Sequence, residues 1–234
     1  MRSIAGAVML IFLCNACCLG LKLNTLLTTE EVVPFPTNWT CPGVQNLTIV
    51  HPTDTSKKYP LLSFAHGYGA GGALLSVYYK GLLSFLASHG YVVVATEDAT
   101  SSLCFSENVD QIASMQFMKD KNDPRVDWNA PTGVVGHSMG GYATLLSAQD
   151  SDNIKKFNIR ASVALHPMGR AGSNPPAPPP TIATMFTTGS KDQLVLPRST
   201  FNYYNETFLP GTVFANLKGA DHFEPMSGLN RLGP

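Results

Sequence analysis

The sequence predicts an α/β fold, a mostly parallel central sheet with helices on both faces. Two observations carry this. Short apolar runs alternate along the chain with longer stretches whose apolar residues recur at helical spacing, the order a parallel sheet with crossover helices requires. The best-marked passage runs from Thr132-Gly133-Val134-Val135 through Gly136-His137-Ser138-Met139-Gly140 into Tyr142-Ala143-Thr144-Leu145-Leu146-Ser147-Ala148, which reads as strand, sharp turn and helix in immediate succession. A chain of 234 residues is long enough for one such domain, burying roughly 70% of its unfolded surface, and a second domain is not expected.

The elements follow in order. Residues 60–65 are a short apolar strand that runs into the glycine-rich loop His66-Gly67-Tyr68-Gly69-Ala70-Gly71-Gly72. Residues 74–87 have helical spacing and stop at Gly90, and 91–95 form a continuous apolar run, as in a strand buried on both faces. Glu97 and Asp98 then read as a solvated loop or a helix cap. Residues 107–118 predict a helix with Val109, Ile112, Met115 and Phe117 inward. After the turn at Ser138 and its helix, residues 161–167 form another strand, without a carboxylate. Residues 173–180 are a stiff, proline-rich loop suited to a rim or spacer. A β-rich strand over 181–188 ends in Gly189-Ser190-Lys191-Asp192, and residues 212–217 lead into Lys218-Gly219-Ala220-Asp221-His222-Phe223. No internal repeat appears, and no phosphate-binding glycine pattern follows a strand correctly.

The glycine-flanked serine is the chemical signal. Glycines on both sides let the backbone bend sharply without a Cβ clash, so Ser138 stands at the apex of a strained turn with its hydroxyl held out as a nucleophile. Such a serine needs a base, an acid that orients the base, and donors for the oxyanion. In α/β-hydrolases these follow in the order serine, acid, histidine. Asp192, in the loop after its strand, is the expected acid, and His222, presented after a glycine turn, is the expected base. Asp221 adjoins His222 and is read as a turn or solvating residue, because neighbouring side chains on one loop rarely face each other. The oxyanion donors are expected to be the backbone N–H groups of Tyr68 and Met139. The chemistry implied is two-step acyl transfer, which requires a neutral His222 and so predicts activity lost in acid.

Together His66-Gly67-Tyr68, the stretch Leu86-Ala87-Ser88-His89-Gly90-Tyr91-Val92-Val93-Val94-Ala95, Gly136-His137-Ser138-Met139-Gly140-Gly141, Asp192 and His222 resemble the cutinase-like polyester (PET) hydrolase and chlorophyllase branch of the α/β-hydrolases. The resemblance covers residues 42 to 228 and implies an ester hydrolase without cofactor; no metal site is read from the sequence. It also implies that Tyr68 and Met139 line the acyl cleft, to which His66, His137 and His166 are further assigned. The chain departs from the family at His166-Pro167-Met168, where polyester hydrolases often carry an aromatic residue. It departs again after His222: the family continues with a long helix packed on the sheet, whereas this sequence runs only to Pro234. The fold is therefore expected to lack its C-terminal helix and to leave part of one sheet face uncovered.

Composition narrows the partners. Sixteen basic and sixteen acidic residues, only 14% of the chain, form no basic stripe and no acidic tail, so nucleic acid is excluded and a small-molecule or lipid-like ester suits the surface. Met1-Arg2, an apolar stretch over 4–13 and small residues over 16–20 read as a cleaved secretory signal over residues 1–20, leaving 21–234 as a single domain. Membrane association would require that segment to stay uncleaved. Sequons at Asn38, Asn46 and Asn205 suit glycosylation on a secretory route. Cys14, Cys17 and Cys18 fall in the signal, leaving Cys41 and Cys104, for which a disulfide is expected, the alternative being one buried and one exposed thiol. Two other activities stay open: a peptidase or thioesterase with the same constellation, and a silent binding protein that keeps the fold.

Overall fold

The computed structural model describes residues 26–35, 46–97, 107–168, 179–207 and 209–226. Among these residues one sheet holds eight strands: β1 Thr28–Pro34, β2 Asn46–Pro52, β3 Leu61–Ala65, β4 Val92–Glu97, β5 Thr132–His137, β6 Ile159–Leu165, β7 Thr184–Gly189 and β8 Val213–Leu217. Their spatial order is β1-β2-β4-β3-β5-β6-β7-β8. β1 and β2 pair antiparallel, as do β2 and β4, while every pairing from β4 to β8 is parallel. The helices are α1 Ala73–Ser88, α2 Glu107–Asp120, α3 Met139–Ser147, α4 Ser151–Phe157 and α5 Pro197–Asn205.

Alternation along the buried strands builds two apolar layers. Val93 of β4 joins Leu62 and Phe64 of β3 against Leu75, Tyr79, Leu83 and Leu86 of α1. Val92 and Val94 point the other way, with Leu61 of β3, against Met115 and Met118 of α2. The central strands must be apolar on both sides because both sides are covered. A smaller cluster places Leu145 of α3 and Phe186 of β7 against Tyr203 and Tyr204 of α5. Among the described residues the layers therefore form one α/β sandwich, with no closure into a barrel.

Topology decides where a site can form. The chain passes from β3 to β4 on one side, then returns to β5 on the other side of β3. The carboxyl ends of β3 and β5 thus diverge at a switch point, where open α/β sheets place their crevice. The loop starting at His66 and the turn at Ser138 both leave from there.

Several expectations are corrected. β1 and β2 go unannounced in the sequence because Glu30 and Glu31 interrupt the apolar pattern of the edge strand; Arg125 reaches over to Glu31 and Asp123, both at 2.5 Å, and ties that edge to the body. Val109 does not face inward but is 45% exposed. The inner face of α2 is instead polar at Gln111 and Ser114: Gln111 Nε2 donates to the carbonyls of Ser63 and Val135, and Ser114 Oγ meets Ser63 Oγ at 2.8 Å. Glu97 closes β4 as a strand residue whose carboxylate accepts from Thr48 Oγ1. The sheet face expected to lie open is buried at Val163 of β6 and Met185 of β7, in the cluster that also contains Met226. The expectation about a closing helix concerns positions past 226, outside the described residues. So do Asn38, Cys41 and Cys104, Asp98, and the signal segment; of the proline-rich loop only 179–180 are described. Asn46 opens β2 and Asn205 ends α5 on the surface. Among the described residues no helix is long and apolar enough to cross a membrane.

Phe64 is 1% exposed and its ring packs on Tyr79 at 4.9 Å between centroids, so Phe64→Ala is expected to lower unfolding free energy by about 3–5 kcal/mol. Urea denaturation followed by far-ultraviolet circular dichroism measures it.

Candidate active site

Ser138 sits between β5 and α3 with φ 57° and ψ −118°, a conformation costly for any residue with a Cβ. The bend closes because its flanks are glycine. A Cβ on Gly136 would lie 2.1 Å from the carbonyl oxygen of Gly140, and one on Gly140 would lie 2.2 Å from that of Ala65. The second contact brings the start of α3 against the end of β3, so the turn and the His66 loop become neighbours. Ser138 N–H donates to the carbonyl of Leu165 at 2.9 Å, and Met168 N–H donates to that of Ser138 at 2.8 Å, which fixes the bend from the β6 side.

Three side chains far apart in sequence converge here. His222 Nε2 stands 2.9 Å from Ser138 Oγ, and His222 Nδ1 stands 2.9 Å from Asp192 Oδ2. All three residues are buried. An ionised carboxylate only accepts, so Nδ1 carries the imidazole proton and Nε2 offers its lone pair to the serine hydroxyl. Asp192 Oδ1 accepts from the backbone N–H groups of Leu194 and Val195 at 2.9 and 2.8 Å. Burial would raise its pKa, but the bonds from Val195, His166 and His222 outweigh it and hold the carboxyl below its ordinary value. Asp221 takes no part: its carboxylate accepts from Phe223 N–H at 2.9 Å, closing the local turn as expected.

The amides expected to bind an oxyanion lie on the two sides of this serine. Met139 is the first residue of α3, so its N–H has no acceptor within the helix. On the facing loop a Cβ at Gly67 would touch Ser138 Cβ at 3.2 Å. Gly67 N–H is already bound to Tyr79 Oη at 3.0 Å, leaving Tyr68, an exposed residue, as the next amide along.

The three histidines assigned to the cleft are corrected. His66, His137 and His166 are all buried, with their rings bound inside the protein rather than offered to a ligand. His66 Nδ1 donates to the carbonyl of Gly67 at 2.8 Å. His137 Nε2 is 2.8 Å from the carbonyl oxygen of His222, which can only accept, so Nε2 carries the proton. Its Nδ1 then accepts from Tyr79 Oη at 2.7 Å. Burial, then the neighbouring imidazoles of His222 and His166, pushes His137 down to about 3, so it is neutral as this pattern requires. The result is one relay: Gly67 N–H to Tyr79, Tyr79 to His137, His137 to the backbone of His222. It ties the first loop to the last. His166 Nδ1 donates to Asp192 Oδ2 at 2.8 Å, behind the site.

Sequence reasoning missed Tyr79 and Met168. Tyr79 falls on the inward stripe of α1 with Leu75, Leu83 and Leu86, and a tyrosine hydroxyl placed in a core must find a partner, which is the signal that could have found it. Met168 was recognised only as standing where an aromatic is usual; its Sδ lies 3.8 Å from Ser138 Oγ, at the exposed mouth. Phe223, partly exposed, holds its ring 5.5 Å from that of His222 and adds a second apolar group beside the triad.

Among the described residues, His166, Asp192 and His222 also present ligand atoms within 4.8 Å of one another, a spacing that could hold a metal ion. Both imidazoles direct a proton at the carboxylate, and a cation would have to displace both. The family model of PET hydrolase-like proteins matches residues 37–233.

The buried histidine makes stability fall in acid. Unfolded, His137 titrates near the ordinary 6.5; folded, it does so at about 3. Between these values the unfolded chain binds the extra proton, so stability decreases as pH falls, with a slope of about 1.4 kcal/mol per pH unit where the difference is one full proton. Asp192 acts in the same direction: its contribution is present above 3.8 and is lost as pH falls through its lowered folded value. Urea midpoints measured at constant ionic strength are expected to drop steadily from pH 7 to pH 4, and His137→Gln to flatten that drop.

Proposed function

The chain belongs to the PET hydrolase-like family, ester hydrolases of the α/β-hydrolase type, and on that premise we propose that it is a serine carboxylic ester hydrolase working through an acyl-enzyme. The observation that carries this reading is the pair of 2.9 Å contacts, His222 to Ser138 and His222 to Asp192. As Oγ attacks the ester carbonyl, His222 Nε2 takes its proton, and Asp192 steadies the imidazolium that forms. The N–H groups of Met139 and Tyr68 receive the charge developing on the carbonyl oxygen. His222 then protonates the departing alkoxide, and water, activated by the same nitrogen, releases the acid and restores the serine. No cofactor enters these steps.

The rim supports an apolar ester. Met168 sets its thioether against Ser138 Oγ and Phe223 sets its ring against that of His222, and no charged side chain among the described residues bonds to Ser138 Oγ. Small-molecule or lipid-like esters, from alkyl to aromatic, fit such a mouth, and this favours an esterase over a peptidase, whose substrates need partners for their amide groups. The charged, apolar and small-residue order over residues 1–20, with the surface sequon at Asn205, supports a secreted protein.

A fluorophosphonate probe reacts only with an activated serine. It is expected to label the protein at Ser138 and to leave Ser138→Ala unlabelled. Hydrolysis of p-nitrophenyl esters is expected to fall by about 10⁴ in kcat in Asp192→Asn, through loss of the correct imidazole tautomer. Faster cleavage of peptide anilides than of esters, or labelling that survives Ser138→Ala, overturns the assignment.

A further inference from the structure

His166 is a buried titratable group that the reaction described above does not consume. It follows the last residue of β6 with φ 47°, the left-handed region that a residue with a Cβ adopts only when its surroundings hold it there. Its amide is held by the carbonyl of Thr187 at 2.9 Å, and its side chain is fully buried. Nδ1 donates to Asp192 Oδ2 at 2.8 Å, the oxygen that also receives His222 Nδ1 at 2.9 Å. Nε2 has no hydrogen-bond partner among the described residues. A residue needed only to fill this space would be better met by an apolar side chain, since an imidazole with one unmatched nitrogen is costly to bury.

We propose that His166 is a positioning residue that shares the Asp192 carboxylate with His222 and thereby sets how tightly His222 holds a proton. This rests on the reading of Ser138, His222 and Asp192 given above. The carboxylate has two oxygens: one is filled by two backbone amides, the other is divided between two rings. A hydrogen bond to one ring draws charge from the oxygen that the other ring needs when it becomes imidazolium. With His166 in place the carboxylate is fixed from both sides, and His222 binds its proton less strongly than with an undivided partner. It therefore yields that proton more readily to the leaving alkoxide.

The groups facing His166 agree with a neutral donor. Asp192 is bonded to it, Asp221 and His222 come from the loop after β8, and His137 is the last residue of β5, with ring centroids 5.6 Å from His222 and 5.8 Å from His137. Burial lowers the proton affinity of His166 and outweighs the pull of Asp192. It can thus donate a hydrogen bond without placing a second positive charge beside the base.

Proton NMR of histidine-labelled protein reads this directly. Unaltered protein is expected to show two low-field ring N–H resonances, one from each imidazole on Asp192. His166→Leu, which fills the space without a donor, removes one of them, moves the other further downfield and raises the midpoint of its titration by about one pH unit. The acid limb of kcat/KM for p-nitrophenyl acetate moves upward with it, while KM stays put because His166 does not touch the substrate. His166→Asn, whose amide nitrogen reaches the place of Nδ1, keeps both the midpoint and the acid limb where they began. A single low-field resonance in the unaltered protein, an unmoved midpoint in His166→Leu, or equal shifts in both variants overturns the proposal. If His166→Leu does not fold, the spectrum of the unaltered protein and the asparagine variant decide. Should the protein cleave no ester, the functional reading fails while the resonances still decide the role of His166.

Discussion

Asp192 accepts four hydrogen bonds on one buried carboxylate, two from the backbone that follows it and two from imidazoles of different loops. A buried charge is tolerable only when its lone pairs are matched, so this group dictates where its neighbours stand. The loop after β7 curls so that the amides of Leu194 and Val195 reach Oδ1. The loop after β8 presents His222 to Oδ2, and the end of β6 adopts a left-handed residue to bring His166 to the same atom. Around one negative charge the carboxyl ends of three parallel strands are gathered.

The other half of the site is organised by close approach. Gly136 and Gly140 leave no room for a Cβ, and that absence of side chain lets α3 begin against the carbonyl of Ala65. The strained serine and the glycine loop after β3 are in register because the helix, the turn and the strand touch backbone to backbone. The strain at Ser138 is stored in a part of the sheet buried on both faces, where neighbouring strands hold it in place.

Much of this was legible in the sequence. The parallel strands, the turn at Ser138, and the positions of Asp192 and His222 each carry a local pattern: an apolar run, a glycine spacing, a polar residue at a strand's carboxyl end. The antiparallel edge β1–β2 was not legible, because Glu30 and Glu31 break the alternation of β1 and β2 meets the rest of the sheet only through β4, about 45 residues on. Histidine roles failed for a related reason. A histidine beside a motif reads as a ligand-facing group, yet His66, His137 and His166 are turned inward, and only the three-dimensional positions of Tyr79, Asp192 and the His222 carbonyl explain why. The polar inner face of α2 was hidden likewise: Gln111 looks like a surface residue until the carbonyls of Ser63 and Val135 are placed beside it.

The relay from Gly67 through Tyr79 and His137 to His222 joins the opening loop of the switch point to the loop that ends the sheet. Tyr79 and His137 each accept from the member before and donate to the member after, and both are buried. Changing Tyr79 or His137 alone strands a polar atom in the interior, and replacing both by apolar side chains strands the Gly67 N–H and the His222 carbonyl. The join between the two loops is thus written into backbone groups that changes at Tyr79 and His137 leave in place, and any replacement for that pair must still offer an acceptor at one end and a donor at the other.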